Sequence, residues 1–419
     1  MKLSSSVCCL LTLLFCTSVY SQSLQSLEGQ KAKLNADLKA VESEKHDLDS
    51  TLELVELAII NKKLNSIGYP KGKQKSTIIN HSAMSLQYAE DHEQAAWVMH
   101  LISPKIAEGA EGRTNDFRPD TMVKSGTAVE TDYFLRYQEE GEIKYDGYGY
   151  DRGHLAPSAD FRWSKKALSE SFFYSNMSPQ LPEFNREAWA ELESLVRSYV
   201  LRTGNELYVI TGPLLKADLP KISRSQNELS IAENFYKVLL DPKAKVGIGF
   251  LLPHQKCEAT FSAYALPIDS IEALSGFDFY PDLDSSLEMS IESQADFYHL
   301  FPLEKGDSEP IPLRQLGKNE FNTEVVNKFI GMEKTICGTV VSTYKSSKGN
   351  VFLNLDKRFP RTVFSVNIWS SNITNFSYSP EKFLENKKVC VKGRIGSREG
   401  VANVSAEHER QIRVLSAGD

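Results

Sequence analysis

The chain has 419 residues, 41% of them hydrophobic and 25% charged, ordinary proportions for a soluble globular protein. Those figures exclude a collagen-like or disordered chain, and a chain of this length can bury its cores without disulfides or metal. The net charge of −7 argues against an evenly basic nucleic-acid coat, yet residues 331–419 hold 14 Lys+Arg against 8 Asp+Glu, a surplus of six that leaves −13 on the remainder.

In chain order, residues 1–21 read as a secretory signal peptide. Lys2 supplies the positive start, 7–15 is an apolar run too short to span a bilayer, and Val19 and Ser21 are small residues ahead of a cleavage site. A lipoprotein signal ending at Cys16 competes with this reading, but Phe15 stands where such a site needs a small residue. The expected location is secreted or periplasmic. No later run approaches ~18 consecutive apolar residues, so no transmembrane segment is expected. Beyond the signal only Cys257, Cys337 and Cys390 remain. An odd count in an exported chain allows one bridge, with Cys337 and Cys390 able to pair, and one free thiol. Three buried apolar cysteines fit equally well.

Residues 22–66 read as a coiled-coil helix. Leu27, Leu34, Val41, Leu48 and Val55 fall on one seam position, and Lys31, Leu38, Lys45, Leu52 and Ile59 on the other. The two seam lysines favour a small homo-oligomer; a lone amphipathic helix packed on the next domain is the plainer alternative. Gly68-Tyr69-Pro70 ends the helix.

Residues 70–307 read as one α+β domain. Runs 95–102, 207–212 and 246–252 predict strands, and 188–199 has helical apolar spacing. Residues 308–334 read as a linker. Residues 335–419 hold four short strands at 335–341, 350–355, 362–368 and 388–395, with a fifth within 407–415. Such spacing fits a small β-barrel.

Two stretches carry the chemistry. In Asp151-Arg152-Gly153-His154, a histidine beside a glycine can project into a cleft, and its unperturbed pKa near ~6.5 lets neutral imidazole accept a proton. A lone histidine is more often a surface or core residue, and seven others occur here. The second stretch sharpens the first. In a helix, Asn185 and Glu193 are eight residues apart, hence two turns along and ~80° apart, so both can border one cleft. The asparagine amide oxygen is a neutral hard ligand suited to a hydrated divalent cation. Trp189 between them reads as core.

Together, the Asp-Arg-Gly-His motif and the Asn-x7-Glu helix about thirty residues on resemble the DNA/RNA non-specific endonuclease family over roughly 87–303. The resemblance implies a ββα-metal nuclease fold and a metal-dependent endonuclease that hydrolyses DNA and/or RNA to 5′-phosphate products. It makes His154 the general base and Asn185 the sole direct protein ligand of one divalent metal, Mg²⁺ ahead of Mn²⁺ or Ca²⁺. It makes Glu193 the holder of metal-bound water. The family's upstream arginine falls on Arg113 in 113–120, Arg-Thr-Asn-Asp-Phe-Arg-Pro-Asp, with Arg118 the runner-up. A guanidinium fork suits a charged phosphate. Arg152 and Arg118 are expected to bind substrate.

The barrel resembles an OB-fold, which binds single strands through basic grooves and aromatic stacking. Lys345, Lys348, Lys357, Arg358, Lys387, Lys388, Lys392 and Arg394 supply charge, and Phe352, Phe364 and Trp369 are candidates to stack. The competing function is a secreted nucleic-acid-binding or scaffolding protein whose nuclease domain is vestigial.

Overall fold

The computed structural model describes residues 23–72, 77–109, 111–398 and 400–415. The expected signal peptide and its three cysteines lie outside the described residues. No described helix is long and apolar enough to cross a membrane.

One helix runs over Leu24–Ile67. The chain divides into two units at Ile59/Ile60. In the first, the seam residues Leu34, Leu38, Val41, Leu48, Leu52 and Val55 are all exposed. From Ile60 the helix belongs to the second unit, where Ile60 and Leu64 are buried, Lys63 pairs with Glu206 at 2.6 Å, and the Asn61 amide donates to the His81 carbonyl.

The second unit is α+β. Its central antiparallel sheet has seven strands, ordered Ala265–Leu266, Val246–Pro253, Asn234–Asp241, Leu207–Pro213, Gln94–Ile102, Met84–Ala89 and Ile78–Asn80. Every residue of Gln94–Ile102 and Leu207–Pro213 is buried. Both faces of the sheet are therefore covered there, which explains why these segments read as continuous apolar runs rather than alternating ones. A two-stranded ribbon, Asp151–His154 against Met177–Gln180, feeds the helical stretch 184–203. A second hairpin, Phe134–Glu139 with Glu142–Gly147, precedes it.

The helical stretch differs from the sequence expectation. Phe184–Trp189 is a π-helix, and the α-helix proper is Ala190–Thr203. A π-turn bonds i to i+5 and rotates less per residue than an α-turn. The eight-residue step from Asn185 to Glu193 therefore falls closer to two whole turns than the ~80° offset of an ideal helix. Trp189 is fully buried, as core.

The C-terminal region is a closed barrel of Glu333–Lys345, Val351–Leu355, Phe364–Ile368, Val401–Ser405 and Lys388–Arg398, with Ile412–Val414 added at Lys388–Arg398. Alternation along Val351–Leu355 and Phe364–Ile368 puts Val351, Leu353, Leu355, Phe364, Val366 and Ile368 inside. Phe364 is thus core and leaves the stacking candidates. The strand Val401–Ser405 was not anticipated. The stretch expected to be linker is partly built into this region: Glu320–Asn322 pairs in parallel with Glu333–Lys345, and Val326, Phe321 and Phe329 pack on the barrel core. Cys337 and Cys390 are cross-strand partners and form a disulfide, and Cys257 is free.

Candidate active site

The ribbon packs closely at its glycine. A Cβ at Gly153 would run into the buried side chain of Gln180 on the opposing strand, so a larger residue between Arg152 and His154 requires that side chain to move. Arg152 and His154, two apart on a strand, share one face. The same aromatic ring serves both: Phe117 carries the Arg152 guanidinium at 3.7 Å and packs 5.9 Å from the imidazole. Phe172 meets that imidazole edge-on at 5.0 Å. His154 is only 9% exposed, and its Nε2 is buried with no hydrogen-bond partner. Burial first, then the charges of Arg113 and Arg152, push its pKa down to about 3. The imidazole is neutral throughout the physiological range.

At the start of the same strand, Asp151 organises the second stretch. Its Oδ2 accepts from the Asn185 amide at 3.0 Å and from Arg186 Nε at 2.8 Å, and its Oδ1 accepts from Arg186 Nη2 at 2.6 Å. Burial pushes the Asp151 carboxyl up, but the bonds from Arg186 and Asn185 outweigh it and hold the pKa below the usual range. Because the Asn185 nitrogen is spent on Asp151, its amide is fixed in orientation, and the oxygen is the end left to offer a ligand. A half-buried, oriented, neutral oxygen fits a hard divalent cation.

An open cleft of about 400 Å³ lies beside the ribbon; His154, Phe172 and Glu193 are not among its lining residues, and His154 is reached through Phe117 and Arg152. Arg113, Phe117, Phe134, Asp151, Arg152 and Asn185 are on its wall. Arg113 is exposed, its Nε donates to Asn115 at 2.6 Å, and its guanidinium lies 5.4 Å from the Phe172 ring. The loop that presents Arg113 and Phe117 is anchored by buried Asp120, which meets His81 at 2.8 Å and Ser175 at 2.6 Å. Arg118 lies apart from the cleft wall. It is bound to Asp116 at 2.8 Å and to the Ser169 carbonyl, and stacks 4.2 Å over Phe173. Of the two arginines, Arg113 is the one on the cleft wall.

Glu193 faces a buried charge network that the sequence did not reveal. Burial raises its pKa, and the nearby Asp160 adds to this; Lys237, Arg197 and Arg113 oppose it. Lys237 is 1% exposed, with its Nζ donating to Thr211 at 2.7 Å and lying 4.8 Å from the Trp189 ring. Burial pushes Lys237 down, and Glu193 pulls it back. Asp160 bridges His100 at 2.9 Å and Arg197 at 3.0 Å. Arg113 acts on both His154 and Glu193, so those three side chains share one field. Sequence reasoning missed Asp151, Phe117, Phe172 and Lys237. The first was inside the motif and could have been found; the others are joined to the site only by the fold.

The model of the family described as DNA/RNA non-specific endonuclease matches residues 60–286. Nuclease C1 of Cunninghamella echinulata var. echinulata is 33% identical over 209 residues, 45% of this chain and 82% of the relative. Mitochondrial endonuclease G of Bos taurus is 33% identical over 203 residues, and the chain spans 64% of that relative's length. A solved chain from the EndoG/EndoGI complex is 25% identical with a TM-score of 0.45, covering 54% of this chain and 92% of that one.

Proposed function

This chain belongs to the DNA/RNA non-specific endonuclease family, and from that premise we propose that it is a secreted, metal-dependent endonuclease acting on DNA and/or RNA. The observation that carries the reading is the bond from Asn185, on the helical stretch, to Asp151, which ties an oriented amide oxygen to the start of the strand that also bears His154.

His154, neutral and walled by Phe117 and Phe172, takes the proton from a water attacking the phosphorus. An imidazole held at about 3 is a weak base. The two arginines that lower it, Arg113 and Arg152, stand on the cleft wall. A phosphodiester seated there offsets their charge and raises the basicity of His154 when it is needed. Arg113 then faces the charge that builds on the phosphate oxygens. Glu193, countered by Lys237, orders water near Asn185. Asn185 would hold a divalent ion, Mg²⁺ ahead of Mn²⁺ or Ca²⁺, which would supply Lewis-acid neutralisation of charge on the phosphate. The products are 5′-phosphates. Positioning through phosphate contacts carries no base readout, so sequence preference is weak.

The outlying regions extend the reading. A closed five-stranded barrel fits an OB-like fold. Tyr344, Phe352 and Trp369 form an aromatic row on it, with Tyr344 and Phe352 stacked at 6.1 Å and Trp369 set edge-on at 6.3 Å. That row supports binding of a single strand. The exposed heptad seam supports pairing with a second copy of the chain, and 1–21 supports export to a secreted or periplasmic location. A purely scaffolding role is not favoured, because it gives no reason to bury a neutral histidine beside two arginines.

Plasmid and RNA digestion, with and without chelator, tests the core of this. Wild type should cut one or both only with a divalent ion, and His154→Ala should lose cutting while keeping its circular dichroism spectrum. An unchanged rate in that variant removes His154 as the base.

A further inference from the structure

On the face of the sheet near its Ala265–Leu266 edge, two short helices, Ile268–Ser275 and Ser285–Glu292, are pinned to the strand Val246–Pro253 by glycines. A Cβ at Gly247 would meet Ile291 at 2.6 Å and Ile268 at 2.8 Å; one at Gly249 would meet Ile271 at 2.6 Å. The apolar side chains that make this contact are chain neighbours of three carboxylates. Asp269 and Glu272, three apart, share one side of the first helix, and Glu292 ends the second. One carboxylate oxygen from each of the three lies within 4.8 Å of the others.

We propose that Asp269, Glu272 and Glu292 form a calcium site that staples these two helices, separate from the catalytic cleft. Ca²⁺ takes six to eight oxygens at about 2.3–2.6 Å. Oxygens on such a sphere stand no more than roughly 5 Å apart, so the three need little movement to share one ion. The second observation is independent of the clustering. Glu292 is 3% exposed, and its Oε1 is buried without any hydrogen-bond partner. A buried, unpartnered carboxylate oxygen is costly and calls for a proton or a cation. Glu272 differs, since one of its oxygens accepts from the Phe279 backbone at 2.6 Å.

Among the described residues, the charges that act on Glu272 and Glu292 are all carboxylates. Asp278 and Glu288 also face the cluster, and Lys71, which acts on both, is bonded to Asp282 at 3.3 Å. Burial and like charges push Glu292 up to about 9, and burial with Asp278, Asp269 and Glu288 pushes Glu272 up to about 7 against the Phe279 bond. Asp269 is exposed and gives an ion access from solvent. None of the three lines the cleft.

Terbium luminescence on the full chain tests the site, because Tb³⁺ replaces Ca²⁺ and buried Tyr280, close enough to feel the Glu292 charge, can sensitise it. The experiment uses Asn185→Ala protein, so that any ion in the cleft is excluded. Saturable emission under tyrosine excitation should appear and be displaced by Ca²⁺, and Ca²⁺ should raise the Tm. Adding Glu292→Gln or Glu272→Gln should abolish both responses. In chelator the Glu292→Gln protein should melt no lower than its parent, which separates lost binding from lost folding. Emission and a Ca²⁺-induced Tm shift that survive Glu292→Gln, or are missing from the parent, overturn the site. Nuclease activity is not the readout, so failure here leaves the endonuclease reading intact.

Discussion

The cleft and the barrel bury opposite things. The barrel core is aliphatic and aromatic; among the described residues its one deeply buried carboxylate, Asp356, accepts from Thr323 Oγ1 and the Thr339 amide, each at 2.6 Å, and the buried polar atoms left without partners, such as Thr362 Oγ1 and Glu381 Oε2, lie outside that core. Around the cleft the protein buries His154, Asp160, His100 and Lys237 and leaves His154 Nε2 and His100 Nδ1 without partners. A barrel assembled from alternating strands is held by burial of its inner faces, about 1.5–3 kcal/mol for each fully enclosed large apolar side chain. The cleft spends part of the stability supplied by the central sheet on holding charged and polar groups in costly states. The contrast teaches where each region is vulnerable: the cleft in its rate, the barrel in its fold.

The sharpest way to break that contrast is His154→Ala. Loss of a general base should lower kcat by about 10²–10⁴-fold, with little change in the thermal unfolding of either region. Next is the barrel's bridge. Cys337 and Cys390 are separated by 53 residues, and opening a loop of that size costs about 4 kcal/mol in the chain-entropy account. A double Cys337→Ser, Cys390→Ser protein should show its barrel unfolding earlier in denaturant, while kcat per folded molecule stays at wild type. A fall in kcat would mean the two regions are coupled.

The third expectation concerns acid. The folded pKa of His154, about 3, lies below its ordinary 6.5. Between those values the unfolded chain binds a proton that the folded chain refuses. Stability held above pH 6.5 is therefore lost as pH falls toward 3, by up to about 1.4 kcal/mol per unit. On going from about pH 7 to about pH 5, metal-free wild type should lose about 2 kcal/mol more than His154→Ala. Equal losses would place the imidazole in solvent. The smallest effect is expected for Trp369→Ala, which should weaken single-strand binding by about 1–3 kcal/mol, seen as a raised KM at unchanged kcat. No change in KM would leave the aromatic row without a role in substrate binding.

What the sequence disclosed follows from how local each feature is. The strands 95–102, 207–212 and 246–252 were legible because burial on both faces leaves long apolar runs. His154 and Asn185 could be singled out because each stands in a short local motif, whereas Asp151, inside the first motif, shows its part only through its bonds to Asn185 and Arg186. Lys237 was not: it sits in a strand of apolar residues 44 positions beyond Glu193, and only the fold brings the two into one field. The π-turn was hidden because Phe-Asn-Arg-Glu-Ala-Trp has the composition of an ordinary helix. Glu320–Asn322 was hidden because three residues pairing in parallel carry no periodicity of their own.

The π-helix at Phe184–Trp189 has a further consequence, for natural variation in chain length. Deleting one residue within it would let the segment relax to ordinary α-geometry. Seven α-steps of about 100° come to about 700°, within about 20° of two whole turns, so Glu193 would stay on the side of the helix that Asn185 occupies. A homologue one residue shorter here, with a plain α-helix, would therefore present the same pair. One that keeps eight residues but closes the π-turn into α-geometry would carry Glu193 about 80° away.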